Sequence, residues 1–74
     1  MQPYLNLSGD SGVIAYEPHP DRILVVFDDG DTYLYSDISP GPGVVVQMNS
    51  IASGGFGLNT YINQSVRENY ESKL

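Results

Sequence analysis

An acidic glycine turn followed by two alternating tyrosines is the feature that most constrains the fold of this chain. Asp28-Asp29-Gly30-Asp31 leads directly into Tyr33-Leu34-Tyr35. A short turn of this composition between two extended segments is typical of a β-hairpin. Side chains two residues apart lie on the same face of a strand. We therefore predict a hairpin whose second strand carries Tyr33 and Tyr35 on one face.

Two more extended segments precede that strand. Val13 to Glu17 and Arg22 to Phe27 are rich in apolar residues, and Pro18-His19-Pro20-Asp21 separates them. The two prolines cannot donate hydrogen bonds to a neighbouring strand and favour a turn. Short connections of this kind join antiparallel neighbours. The sequence therefore predicts a meander of three antiparallel strands.

The second of these strands has apolar side chains on both faces. They are Ile23, Val25 and Phe27 on one face and Leu24 and Val26 on the other. A strand of this kind is usually covered on both sides. The C-terminal half of the chain can cover one side. Either Leu5 and Leu7 of the N-terminal segment or a second subunit would cover the other.

Helical spacing replaces the strand pattern after Ile38-Ser39-Pro40. An apolar stripe is formed by Val44, Val45, Met48, Ile51 and Ala52,. We predict a helix from about Gly41 to Ala52, with Ser39-Pro40 as its start and Gly54-Gly55 as its end.

A second helical pattern follows, with Asn59 as its cap. Its apolar side consists of Leu58, Tyr61, Ile62, Val66 and Tyr70. The predicted fold is α+β, a three-stranded antiparallel meander followed by two short helices packed on one face (β-β-β-α-α). Residues 1–12 are assigned to a flexible lead-in, 13–70 to a single domain and 71–74 to a tail.

Composition and charge narrow the classes of function. The 74 residues include no cysteine, 41% are hydrophobic, and the net charge is −6. Disulfides and thiolate metal sites are therefore excluded, and no apolar run approaches the roughly 20 residues of a membrane span. With no secretion signal recognisable, we expect a cytoplasmic protein without a membrane partner. Only Arg22, Arg67 and Lys73 could neutralise phosphates, so the charge disfavours RNA.

The polar residues do not form a recognisable catalytic or metal-binding motif. The aspartates around Gly30 lack the glutamate that a calcium loop places six residues after its glycine, where this chain has Ser36,. His19 has no evident partner for proton transfer. Ser53-Gly54-Gly55 lacks the frame of a nucleophile turn and is more simply a helix stop. We therefore predict no catalytic residue, metal, cofactor or small-molecule substrate.

The order of the landmarks resembles that of the KTSC family. The matching segments are Val13-Ile14-Ala15-Tyr16, Leu24 to Phe27, Gly30, Tyr33-Leu34-Tyr35 as the central Tyr-x-Tyr, Ile38-Ser39-Pro40, and Ser53 to Ile62, similar to Ser-x-Gly-x-x-Phe-Asn-x-x-Ile. Domains of this family occur alone in bacteria and phages and at the C-terminus of some lysyl-tRNA synthetases. The family's function is not established, and its occurrence beside the synthetases implies an association with RNA.

Two functions follow as hypotheses. The first is a noncatalytic module that binds a protein partner or forms a homodimer. The alternative is an RNA-associated module that stacks bases on its sheet tyrosines, although paired aromatics in so small a domain more often belong to the core. The candidate binding surface comprises Tyr33, Tyr35, Ser53, Gly55, Asn59, Tyr61 and Arg67. Ser53, Gly55 and Asn59 either form a site or only fix a turn and a cap.

Overall fold

The chain folds as one antiparallel sheet with its helices on one side. The computed structural model describes residues 1–5, 12–66 and 69–74. The strands are β1 (Gln2–Pro3), β2 (Val13–His19), β3 (Arg22–Phe27), β4 (Thr32–Ser36) and β5 (Ser72–Lys73). The helices are α1 (Pro42–Gly54) and α2 (Leu58–Tyr61), and a π-helical segment, Ile62–Val66, continues α2. The five strands are adjacent in chain order and pair antiparallel, and the helices lie between β4 and β5 in the chain. The predicted α+β class is therefore confirmed.

The central meander has the strand order and the antiparallel pairing that the sequence predicts. β2, β3 and β4 pair as antiparallel neighbours. The hairpin between β3 and β4 is closed by a hydrogen bond of 2.9 Å from the Phe27 amide to the Asp31 carbonyl. Gly30 has a φ of 92°, a left-handed conformation that glycine adopts without strain,. The acidic glycine segment is thus a hairpin turn.

The number of strands differs from the predicted three. β1 pairs with β2, placing Gln2 opposite Tyr16, and β5 pairs with β4, placing Lys73 opposite Tyr33. Parts of the N-terminal lead-in and of the C-terminal tail therefore extend the sheet on both edges. Each of these edge strands is two residues long, so neither has an alternating pattern that a sequence can reveal.

β2 also continues further than its sequence suggests. Pro18 and His19 pair with Ile23 and Arg22, which leaves only a tight turn before β3. β1 pairs with β2 only at Ala15 and Tyr16, so no described strand borders Pro18 on its other side. Proline is tolerated where a strand has such an open edge.

The core lies between one sheet face and the helices. Ile23, Val25 and Tyr35 of the sheet form one buried cluster with Met48 and Ala52 of α1. Val45 of α1 is also buried, while Val44 and Ile51 are partly buried against the cluster. The predicted apolar stripe of α1 is therefore confirmed. From the second helical pattern, the cluster includes Leu58 and Ile62, with Tyr61 and Tyr70 packed against it.

The helix boundaries correct two details of the prediction. α1 takes Pro42, and not Pro40, into its first turn, and Gly41 is its N-cap. Asn59 does not cap α2, because the N-cap residue of that helix is Gly57, which has no side chain. In both cases the sequence offers more than one acceptable first residue for the helix. The reason is that a glycine stands next to a proline or next to a helix-forming residue.

Gly54 and Gly55 provide a matched test of the end of α1. Gly54 is helical with open space around it, so Gly54→Ala is expected to stabilise the fold by up to about 1 kcal/mol,. Gly55 has a φ of 73°, and a Cβ there would lie 2.6 Å from Cβ of Leu5. Gly55→Ala is expected to cost about 1–2 kcal/mol from backbone strain alone. Urea denaturation of both variants measures whether the two changes in the free energy of unfolding have opposite signs. Equal changes would contradict the left-handed cap at Gly55.

Candidate functional site

The two sheet tyrosines lie on the inner face of the sheet, which packs against the helices. Tyr35 and Tyr33 stand opposite Ile23 and Val25 of β3. Tyr35 is 1% exposed and belongs to the buried core, whereas Tyr33 is only partly buried. Burial raises the pKa of the Tyr35 hydroxyl to about 12, with smaller contributions from Tyr33 and Tyr70. A stacking platform made of both rings is therefore not presented to solvent.

An aromatic cluster surrounds Tyr33. Its ring centroid lies 5.5 Å from that of Phe27 at an interplanar angle of 82°. On its other side, the Tyr70 centroid lies 4.8 Å away at 49°. Tyr70 also stands nearly perpendicular to Tyr35, at 6.3 Å and 89°. Edge-to-face contacts of this kind stabilise the packing beyond the area they bury.

This cluster forms one wall of a surface cavity of about 290 Å³. The cavity is lined by Phe27, Asp29, Tyr33, Tyr35, Ile62, Asn63 and Tyr70. Three parts of the fold meet there: the β3–β4 hairpin, the π-helical segment that follows α2, and the irregular segment before β5. We call this feature the tyrosine cavity.

A cation already lies beside the tyrosine cavity. The Lys73 ammonium is 3.1 Å from a carboxylate oxygen of Asp31 and 5.7 Å from the centre of the Tyr33 ring. The hydrogen bond with Asp31 raises the pKa of Lys73. Lys73 comes into this position because β5 pairs with β4, a pairing that the sequence did not indicate.

The other described residues of the predicted binding surface do not line this cavity. Ser53 is exposed on α1, where its hydroxyl donates to the Ser50 carbonyl, and Gly55 is the buried C-cap of that helix. Asn59 and Tyr61 are partly buried in α2. Arg67 lies outside the described residues. Of the described members of the predicted set, the tyrosine cavity therefore brings together only Tyr33 and Tyr35.

The outer face of the sheet carries an apolar strip. It consists of two cross-strand pairs, Ala15 opposite Val26 and Leu24 opposite Leu34. The two members of each pair lie on the same face because they are directly opposite each other on neighbouring strands. All four side chains are partly exposed, and none belongs to the buried core cluster. Both described helices pack on the inner face. Leu5, one of the two residues expected to cover the strip, instead approaches Gly55 on the helix side, and Leu7 lies outside the described residues.

A second cavity continues the outer face beyond Leu34. It has a volume of about 200 Å³ and is lined by Asp21, Arg22, Leu34, Ser36, Asp37, Ile38 and Glu71. Ile38 is 83% exposed at this cavity, the highest exposed fraction of any large apolar side chain in the described part of the chain. The Ser36 hydroxyl donates a hydrogen bond to the Glu71 carboxylate and accepts one from the Ile38 amide. The loop that contains Ile38 is therefore hydrogen-bonded to β4.

Two carboxylates beside the apolar strip have partners within the chain. Nε2 of His19 lies 2.7 Å from Oε2 of Glu17, and this contact lowers the pKa of Glu17. Arg22 lies 3.5 Å from Asp21. The sequence indicated no partner for His19 because the predicted strand ended at Glu17. In the longer strand of the structure, the spacing of two residues places both side chains on one face.

Comparisons with known proteins add no relative from which a site could be transferred. No family model matches the chain, and neither a curated protein nor a solved structure matches it. In the described residues, no three His, Cys, Asp or Glu side chains are grouped so that they could hold a metal ion. No helix among them is long and apolar enough to cross a membrane.

Proposed function

We propose that this chain is a noncatalytic binding module of the KTSC type that associates with a second copy of itself through the outer face of its sheet. The observation that carries the proposal is the apolar strip of Leu24, Val26 and Leu34, which continues to the exposed Ile38. Contiguous exposed apolar patches often mark protein contacts.

The distribution of charge is compatible with a second copy as the occupant of this face. The whole chain has a net charge of −6, so two copies repel each other in general,. The apolar strip itself carries no charged side chain. Glu17 beside it is hydrogen-bonded to His19, whereas Asp37 and Glu71 in the adjacent cavity form no ion pair among the described residues. Two copies can therefore bring their strips together with the acidic groups at the edge of the contact, where salt screens their repulsion.

The environment of the single histidine supports the noncatalytic part of the proposal. Among the described residues, the His19 side chain bonds Glu17, and no hydroxyl group contacts it. A histidine that activates a nucleophile needs that nucleophile within hydrogen-bonding distance. The pair is partly exposed at the end of β2, and its contact is that of a surface hydrogen bond.

The RNA-associated alternative remains a hypothesis with one supporting feature. Tyr33 is partly exposed and borders an open cavity. The burial of Tyr35 removes the second ring from a stacking platform, and the acidic residues of the hairpin repel phosphate,. Protein association is therefore the better-supported function.

Sedimentation equilibrium of the full chain tests self-association. We expect a reversible dimer between about 10 μM and about 1 mM at roughly 0.15 M salt, where long-range repulsion is screened. Leu34→Lys should weaken the dimer at least tenfold, because it places a charge in the centre of the strip. Ile38→Lys should weaken the dimer severalfold. Because the Ile38 side chain is 83% exposed in the folded chain, misfolding of this variant would not explain the loss.

Val46→Lys is the matched control, since Val46 is 64% exposed on α1, away from the outer face. It should leave the dimer unchanged. A wild-type chain that stays monomeric throughout the concentration range would overturn the proposal. An equal loss in the Val46 variant would show that association does not use the outer face.

A further inference from the structure

We infer that the tyrosine cavity binds the cationic head group of a lysine or arginine side chain presented by a protein partner. This site lies on the inner side of the sheet and does not depend on self-association through the outer face. Its walls combine aromatic rings with a carboxylate, Asp29. Aromatic rings attract cations through their electron-rich faces, and a carboxylate adds a direct ionic contact.

The angles between the rings favour a compact cation over a planar base. Neighbouring rings around Tyr33 are inclined by 82° and 49°, and Tyr35 and Tyr70 by 89°. A nucleobase stacks on a flat surface, and rings inclined in this way do not provide one. An ammonium or guanidinium group can contact several differently oriented rings at once. The same geometry therefore disfavours the stacking function and favours cation binding.

The charged residues around the cavity also favour a cationic ligand. Among the described residues, Asp28 and Asp29 form no ion pair, whereas Asp31 is paired with Lys73. One oxygen of the Asp29 carboxylate accepts a hydrogen bond of 2.9 Å from the Asp31 amide, which fixes the side chain in the hairpin. A negative group held in place at a cavity wall attracts a cation and repels phosphate.

The contact between Lys73 and Tyr33 shows the same chemistry within the chain. The Lys73 ammonium lies 5.7 Å from the Tyr33 ring centre while it also bonds a carboxylate, Asp31. The cavity offers a second arrangement of this type, with Asp29 in place of Asp31. Its volume of about 290 Å³ lies at the lower end for ligand sites, which suits one side-chain head group better than a nucleotide,.

An amide NMR titration tests this inference with defined probes. The probes are acetyl-Gly-Lys-Gly-amide, its arginine counterpart, and the same lysine peptide with an acetylated side chain. A single head group is expected to bind with a dissociation constant on the order of 1 mM, so titration extends to about 10 mM. We expect the lysine and arginine peptides to shift the amide signals of Asp29, Tyr33, Ile62, Asn63 and Tyr70. The acetylated peptide should cause no comparable shifts, because it has lost its charge.

Two variants separate the cavity from general electrostatic attraction. Asp29→Asn retains the oxygen that accepts from the Asp31 amide and is expected to weaken binding at least fivefold. Asp37→Asn removes one charge from an exposed residue that does not line the tyrosine cavity, and binding should change less than twofold. An equal loss in both variants would overturn the site, since it would mean that only net charge matters.

Three other results would overturn the inference. They are an absence of shifts with either cationic peptide, equal shifts with the acetylated peptide, and shifts of these residues with a short single-stranded RNA alone. The last result would restore the RNA-associated function. The Leu34→Lys variant should bind the lysine peptide as the wild type does. The outcome for the cavity is thus independent of whether the chain dimerises.

Discussion

Replacing Tyr4 by alanine is expected to lower the free energy of unfolding by about 3–5 kcal/mol, as for other large aromatic residues of a core. Tyr4 is 6% exposed, and its ring stands edge-on to Tyr16 at 6.4 Å. Its hydroxyl also accepts a hydrogen bond of 3.1 Å from the amide of Leu58, the first residue of α2. Because Gly57 has no side chain to cap that helix, Tyr4 provides the acceptor from the other end of the chain.

Urea denaturation of Tyr4→Ala and of two companion variants measures these contributions. Tyr4→Phe keeps the ring but leaves the Leu58 amide without its acceptor, at an expected cost of about 1–3 kcal/mol. Leu5→Ala alters the next residue, which is 65% exposed, and should change stability by less than about 0.5 kcal/mol,. A domain of this size has a total stability of roughly 4–11 kcal/mol. If Tyr4→Ala proved as mild as Leu5→Ala, the N-terminal segment would not be docked in the core.

Tyr4 also shows where sequence reasoning reaches its limit. Apolar segments bounded by turn residues identified β2 and β3, alternating tyrosines identified β4, and helical spacing identified the buried side of α1, because each of these patterns involves several residues of one element. The N-terminal segment offers no repeat. Tyr4, the only large buried residue among the described residues 1–5, lies next to a proline and a few positions before a run of small polar residues, which is also the composition of a loose lead-in,.

The same reasoning explains why the tyrosine cavity was only partly foreseen. Tyr33 and Phe27 flank a recognisable hairpin turn, so their proximity follows from local pairing. Tyr70 was assigned to the buried side of a second helix. In the structure, α2 ends at Tyr61, a π-helical segment follows it, and Tyr70 lies between that segment and β5. Its contacts with Tyr33 and Tyr35 depend on how the chain returns to the sheet edge, which no local pattern encodes.

The sequence also left open which partner the chain binds, because no local pattern shows what covers the outer face of β3. The two apolar faces of β3 were visible in the sequence, and the helices cover one of them as expected. What covers the other could not be inferred, because a sequence pattern does not show whether a segment of the chain or a second copy packs there. Leu5 turned out to approach Gly55 on the helix side of the molecule. This position leaves the outer strip without the cover that the N-terminal segment was expected to provide through Leu5.

Raising the pH through the range of tyrosine ionisation is expected to destabilise the fold through Tyr35. Burial holds the pKa of this hydroxyl at about 12 in the folded chain, against about 10 in an unfolded chain,. The folded state thus retains the proton more tightly. Stabilisation from this group is complete below about pH 10 and is lost as the pH rises from about 10 to about 12. The loss should reach about 1 kcal/mol by pH 11 and approach about 3 kcal/mol above pH 12.

Tyr35→Phe isolates this contribution, because it keeps the ring in the core and removes the ionisable group. Urea denaturation of both proteins at about pH 9 and about pH 11 provides the comparison. Other groups that titrate in this range act equally on both proteins, so their effects cancel in the difference. We expect the wild type to lose about 1 kcal/mol more than the variant over this interval. Equal losses would mean that the Tyr35 hydroxyl ionises as readily in the folded chain as in the unfolded one, which would contradict its burial between the sheet and Tyr70.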